Sequence, residues 1–183
     1  MKSLFPILAV ALLAGCASTP DVATDHDPAA DFSRYHTYYW AQEPNVSNPL
    51  VQQRMVAGID ARLAAKGWTR QQGSGDVALV ANVATSQKQT LDTFYTGGAY
   101  GGWGWGPGWG GYGGMGSSTT RVNTYVVGTL VLDMFDASTK RAIWRGTASG
   151  TVSDSPEKNQ AAVEAALDKM LSAFPPGSVA KPQ

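Results

Sequence analysis

The chain has 183 residues and carries 14 Lys plus Arg against 14 Asp plus Glu, so its formal net charge is zero. No basic patch runs along it, which argues against nucleic acid as a partner. Cys16 is the only cysteine, which excludes an intrachain disulfide and a cysteine-built zinc site.

Residues 1–15 read as a signal peptide. Lys2 is the positive n-region, Leu4 to Leu13 the apolar h-region, and Ala14-Gly15 the small pair before a cut. The apolar run is half of the ~20 residues that a spanning helix needs, and it contains Pro6. Leu13-Ala14-Gly15-Cys16 resembles the lipobox of bacterial lipoproteins. The resemblance implies cleavage between Gly15 and Cys16, and lipidation of the Cys16 thiol and amine. One acyl chain holds weakly, at ~0.8 kcal/mol per buried CH₂, and two or more hold firmly. Cut at the same place, an ordinary secretory signal with a chance cysteine leaves no anchor. In such lipoproteins an Asp after the cysteine favours the inner membrane. Ala17 stands here, so the resemblance implies the outer membrane of a Gram-negative cell. The domain is expected to face the periplasm, and the cell exterior stays open as the alternative.

Residues 16–20 are then a lipidated cysteine and short tether, 21–176 one domain, and 177–183 a tail. Asp21 to His26 reads as a weak first strand, followed by turn chemistry over Asp27 to Asp31. Tyr35 to Trp40 is aromatic and β-branched, which favours a second strand, broken at Glu43-Pro44. Asn48-Pro49 opens a helix, with Met55, Val56, Ile59 and Leu63 at helical spacing and Lys66-Gly67 as its end. Asp76 to Thr85 alternates as a strand, and Ser86 to Tyr95 extends it.

Residues 97–116 hold twelve of the 21 glycines, three of the six tryptophans and no charge. Glycine has large backbone entropy to lose and no side chain to pack, so this segment cannot build a core. Its plain reading is a flexible hairpin extension. Its functional reading is an interaction loop bearing Tyr100, Trp103, Trp105, Trp109 and Tyr112. Trp and Tyr favour membrane interfaces and contact surfaces. Lipid headgroups, an envelope glycan or protein, and a second copy of the loop all stay open as partners.

Arg121 to Phe135 is the strongest strand, with Val126, Leu130, Leu132 and Met134 on one face. A turn over Asp136 to Lys140 leads to an antiparallel partner from Arg141 to Val152. Ser155-Pro156-Glu157 opens the last helix, with Val163, Leu167, Met170 and Phe174 as its buried stripe. The order β-β-α-β-(Gly/Trp loop)-β-β-α predicts an α+β fold, with a mainly antiparallel sheet and two helices on one face.

Signals for chemistry are weak. No Gly-x-Ser-x-Gly elbow accompanies His26 or His36. On a strand, Asp25 and Asp27 point away from His26, so the three do not converge on an ion. The Gly-x-Gly pairs lead into Ser-Ser-Thr-Thr and a strand, where a dinucleotide fingerprint needs a helix. Asp133 and Asp136 flank a hairpin turn. In Trp144-Arg145-Gly146, Trp144 reads as core, Gly146 as a close approach, and Arg145 as a partner for Asp133 on the opposite face. No catalytic, cofactor-binding or metal-binding residue is expected.

An ordered set of stretches carries a wider resemblance. They are Asp31-Phe32-Ser33-Arg34-Tyr35, Thr37-Tyr38, Trp40, Leu63, Lys66-Gly67-Trp68 and Asp76-Val77. After the loop come Tyr125, Gly128-Thr129-Leu130-Val131, Asp133, Asp136, Ile143-Trp144-Arg145-Gly146 and Phe174-Pro175-Pro176. From about Val22 to Pro176 the chain resembles the domain of unknown function 4136 family of Gram-negative envelope lipoproteins. That family has no established activity, so the resemblance transfers no catalytic residue. The expectation is a lipid-anchored, non-catalytic binding or assembly module at the outer membrane. An enzyme acting on envelope material, and a structural stress lipoprotein without a ligand, are the alternatives.

Overall fold

Asn48 and Ser155 show how local chemistry punctuates the chain. In the computed structural model, which describes residues 19–96 and 117–176, each starts a helix. Asn48 Oδ1 accepts the Leu50 amide at 3.0 Å, and Ser155 Oγ accepts the Lys158 amide at 3.3 Å. Each is followed by a proline whose missing N–H costs the first turn nothing. Lys66 caps the end of the first helix, and Gly67 follows at φ 84°, where a Cβ is strained.

The strands are β1 (Asp21–His26), β2 (Thr37–Gln42), β3 (Thr69–Arg70), β4 (Val77–Thr96), β5 (Ser117–Asp136) and β6 (Ala142–Thr151). The helices are α1 (Pro49–Ala65) and α2 (Pro156–Ser172), and a 3-10 turn covers Phe32–Arg34. The signal segment with Gly15 and Cys16, the loop residues Tyr100, Trp103, Trp105, Trp109 and Tyr112, and the tail 177–183 lie outside the described residues.

The sheet order is β1-β6-β5-β4-β2-β3. The fold is α+β, as expected, but the sheet is mixed. β1, β6, β5 and β4 pair antiparallel, whereas β2 lies parallel to β4 and β3 parallel to β2. A parallel pair needs a crossover, and α1 supplies it. The two-residue β3 adds a strand to the expected order, because it is too short to show a period.

One face of the sheet carries the core. Val77, Leu79 and Ala81 of β4, Leu130, Leu132 and Met134 of β5, and Trp144 and Ala148 of β6 pack against Ile59 and Leu63 of α1 and Leu167, Met170 and Leu171 of α2. Val163 is only partly buried, and Phe174 lies just beyond α2. Phe174 instead anchors an aromatic cluster, with ring centroids 5.1 Å from Trp68, 5.3 Å from Trp144 and 5.8 Å from Phe32. Arg62 ties the two helices together, bonding Glu164 at 2.7 Å and Asp168 at 2.9 Å.

Gly146 of β6 sits beneath Met170 of α2. A Cβ there meets Trp144 Cη2 and lies 2.6 Å from Met170 Cγ. Overpacking of this kind costs about 1–3 kcal/mol. Gly146→Ala is expected to lower unfolding free energy by that amount in urea titration. Gly150→Ala, with open space around its Cβ, is expected to leave the midpoint in place.

Candidate functional site: the hairpin arm

β4 and β5 each run 20 residues and pair in unbroken antiparallel register, from Val77 opposite Asp136 to Thr96 opposite Ser117. Their neighbours are shorter. β2 leaves β4 at Val80, where Gln42 Nε2 covers the freed edge by donating to Ala81 O at 3.3 Å and Asn82 Oδ1 at 2.7 Å. β6 leaves β5 at Val127, with one further bond from the Val152 amide to Val126 O at 2.8 Å. Ten rungs then remain, from Gln87 opposite Val126 to Thr96 opposite Ser117, in which β4 and β5 pair only with each other among the strands.

This ribbon is an arm about 34 Å long at ~3.4 Å per residue. Residues 87–91 and 120–125 are exposed. The sequence explains why it is built from strands. Gln87 to Thr96 and Ser117 to Val126 are rich in Thr, Tyr, Phe and Val, which favour the pleat, and hold no Gly or Pro. The final rung, Thr96 opposite Ser117, fixes the two points between which residues 97–116 are strung.

Three carboxylates of the body are committed to hydrogen bonds within it. Asp136 accepts Ser138 Oγ at 2.6 Å, the Thr139 amide at 2.8 Å, the Ser138 amide at 2.9 Å and Tyr35 Oη at 2.9 Å. Asp76 Oδ2 accepts the His36 and Thr37 amides at 3.0 and 2.9 Å, and Asp76 O accepts the Ala137 amide at 2.8 Å. Together they latch the starts of β2 and β4 to the end of β5. Asp133 accepts both forks of Arg145, at 2.5 and 2.9 Å, on the face away from the helices.

Two open depressions mark the surface. One, of about 490 Å³, is lined by Tyr38, Asp60, Trp68 and Arg70 among others. Asp60 there accepts Tyr38 Oη at 2.7 Å, Trp40 Nε1 at 3.0 Å and Arg70 Nη1 at 2.7 Å. Burial, then the bond to Asp60, push the Tyr38 phenol well above its ordinary range. With three donors on one carboxylate and a phenol that resists ionisation, the site is poorly suited to moving protons. The other depression, of about 280 Å³, holds Asp25, His26, Asp27 and Arg141, and Asp27 pairs with Arg141 at 3.1 Å. Among the described residues no group of three or more His, Cys, Asp or Glu is placed to hold a metal. His36 is exposed, and its backbone amide joins the Asp76 latch.

The profile of the domain of unknown function DUF4136 matches residues 22–176. The chain belongs to the DUF4136 family. A DUF4136 family protein from Bacteroides thetaiotaomicron is similar in fold, at 17% identity and TM-score 0.52, over 86% of this chain and 96% of that one. A PDZ domain protein from Parabacteroides distasonis is similar at 13% identity and TM-score 0.53, over 90% of this chain. The chain spans 37% of that protein's length. A PelC protein from Paraburkholderia phytofirmans, solved as a dodecamer, aligns at 16% identity and TM-score 0.48, over 84% of this chain and 95% of that one. No curated protein matches the chain.

In this DUF4136 chain, many of the residues that carried the resemblance do structural work. Tyr35, Asp76 and Asp136 form the latch, Trp68, Trp144 and Phe174 the aromatic cluster, and Gly146 the helix approach. Sequence reading missed that the hairpin outruns its neighbours. The signal was present as two matched runs of strand-forming residues flanking the Gly segment.

The latch has a pH signature. The Ser138 hydroxyl, more than any other partner, holds the Asp136 carboxyl below its ordinary value of 3.8, and the His36 amide chiefly does so for Asp76. A carboxyl whose pKa falls on folding adds stability above its unfolded value and loses it as pH drops toward the folded one. The urea midpoint is therefore expected to fall as pH is lowered from about 4. Asp136→Asn is expected to be less stable at pH 7 and to show a shallower acid loss. An acid limb as steep as that of the parent contradicts the latch.

Proposed function

We propose that the chain is a lipid-anchored outer-membrane lipoprotein acting as a non-catalytic binding or assembly module, with residues 97–116 as its contact element. The observation that carries the binding reading is the ten-rung arm. A two-stranded ribbon has no core of its own and is marginal in water, so ten rungs that no other described strand flanks are a cost to the fold. They are accounted for if the arm holds a Trp- and Tyr-rich segment away from the body. The lipobox-like Leu13 to Cys16 supports the anchor. The commitment of Asp60, Asp76, Asp133 and Asp136 to hydrogen bonds supports a scaffold over an acid–base site.

The test is cross-linking in the native envelope of the producing cell, with the full chain and with a variant lacking residues 100–112. Both are first compared by urea midpoint, which the deletion is expected to leave in place. Partners captured by the full chain are expected to be lost from the deletion; the same partners in both move function to the body. Alkyne-palmitate feeding checks the anchor. The parent is expected to take up label, and Cys16→Ser to take up none.

A further inference from the structure

The register of the sheet relates the anchor to the arm. Asp21, the first residue of β1, lies opposite Ser149; Ser149 lies opposite Thr129, and Thr129 opposite Ala84. β1 and β5 are both antiparallel to β6, so β1 starts at the end of the sheet from which the arm leaves. Pro20 is buried there, with its carbonyl accepting Lys169 Nζ at 3.1 Å. The tether and the arm therefore depart from the same end.

Their reaches differ. Asp21 lies five steps along the chain from Cys16, and a chain spans at most ~3.6 Å per step, so Cys16 lies within about 18 Å of Asp21. The arm continues twelve residues past Ala84, about 40 Å at ~3.4 Å each. Twist of roughly 20–25° per strand turns β5 by about 45° from β1, which leaves near 28 Å of that reach along the β1 direction. The arm overshoots the anchor. It cannot do so through hydrocarbon, because no other described strand pairs with the ribbon's edges and lipid tails supply no hydrogen-bond partner.

The arm surface fits the remaining solution. Leu91 and Val122 face each other across the ribbon, 67% and 52% exposed, on the face that continues the core side of the sheet. Val126 lies four residues past Val122 on that face, with Thr124 between them. Val152, 43% exposed, lies beside the position of a Gly128 Cβ at 3.3 Å. Lys88 and Arg121 are exposed basic groups on the opposite face of the ribbon, away from Leu91 and Val122.

We infer that the arm is a second membrane contact, laid along the headgroup layer of the bilayer that holds Cys16, with the Leu91–Val122 stripe against the lipid. The inference rests on the proposed anchoring of Cys16 and deepens the binding reading by naming its partner. Apolar side chains enter the interface while the ribbon edges keep access to water. The anchor then sets place, and the arm sets orientation.

The test imposes the anchor chemically, so it stands whether or not cells acylate Cys16. The chain from Cys16 onward contains every described residue and has one thiol. That thiol is coupled to a maleimide phospholipid in vesicles of phosphatidylethanolamine and phosphatidylglycerol. Tryptophan reporters are placed at Val122 (Val122→Trp) and, near the opposite end of β4, at Gln72 (Gln72→Trp), each read as a difference from the coupled parent. With lipids brominated near the headgroup, the Val122→Trp signal is expected to be lost and the Gln72→Trp signal kept. Adding Leu91→Asp is expected to restore the Val122→Trp signal. If Val122→Trp fails to fold, Leu91→Trp on the facing strand reports the same contact. Equal signals from the two ends overturn the inference. So does a Val122→Trp signal shielded equally from lipid bromine and aqueous iodide, which marks a second copy on the arm.

Discussion

Twenty consecutive rungs join β4 to β5, and the rest of the molecule is arranged around them. A strand ladder pairs the backbone but does not by itself bury apolar surface. The inner half of this hairpin gains that burial from Leu79, Ala81, Leu132 and Met134 beneath the helices. Among the described residues no such layer covers the outer half, where the strands pair only with each other. One continuous element thus passes from a packed body into an unsupported ribbon. The strand edges stay covered only as far as β2, β6 and the Gln42 side chain reach.

The carboxylates follow the same division. Asp76 and Asp136 lock the closed end, Asp60 gathers Tyr38, Trp40 and Arg70 at the β2–α1 side, and Arg62 clamps α1 to α2. Among the described residues no buried side-chain nitrogen or oxygen lacks a partner. Charge in the body is spent on geometry, and the feature left without a structural task is the arm. That asymmetry is why function is assigned to the periphery rather than to either depression.

Local chemistry was legible in the sequence wherever one residue type decides the outcome. Asn48-Pro49 and Ser155-Pro156 announced the helix starts, Gly67 the turn out of α1, and the alternation from Arg121 to Phe135 most of β5. The Asp133–Arg145 pair followed from hairpin spacing alone. Parallel placement of β2 beside β4 was not legible, because Tyr38 and Trp40 show a strand period but not the neighbour they choose. Phe174 looked like helix periodicity, yet lies past the cap at Ala173, where it meets Trp68 and Trp144. The shared exit of tether and arm was beyond sequence reading, since it exists only through three strand registers taken together.

The central claim is that the hairpin projects as one extended ribbon, and a distance along it tests that most directly. In a Cys16→Ser background, nitroxide labels at Ser74→Cys and Thr90→Cys bracket the closed end and the arm. Val77, which starts β4 three residues past Ser74, lies thirteen steps from Thr90, about 44 Å at ~3.4 Å per step. Pulsed dipolar spectroscopy is expected to return one narrow distribution near that length. A broad distribution, or one centred well below it, means that the arm folds back or frays, and contradicts the account.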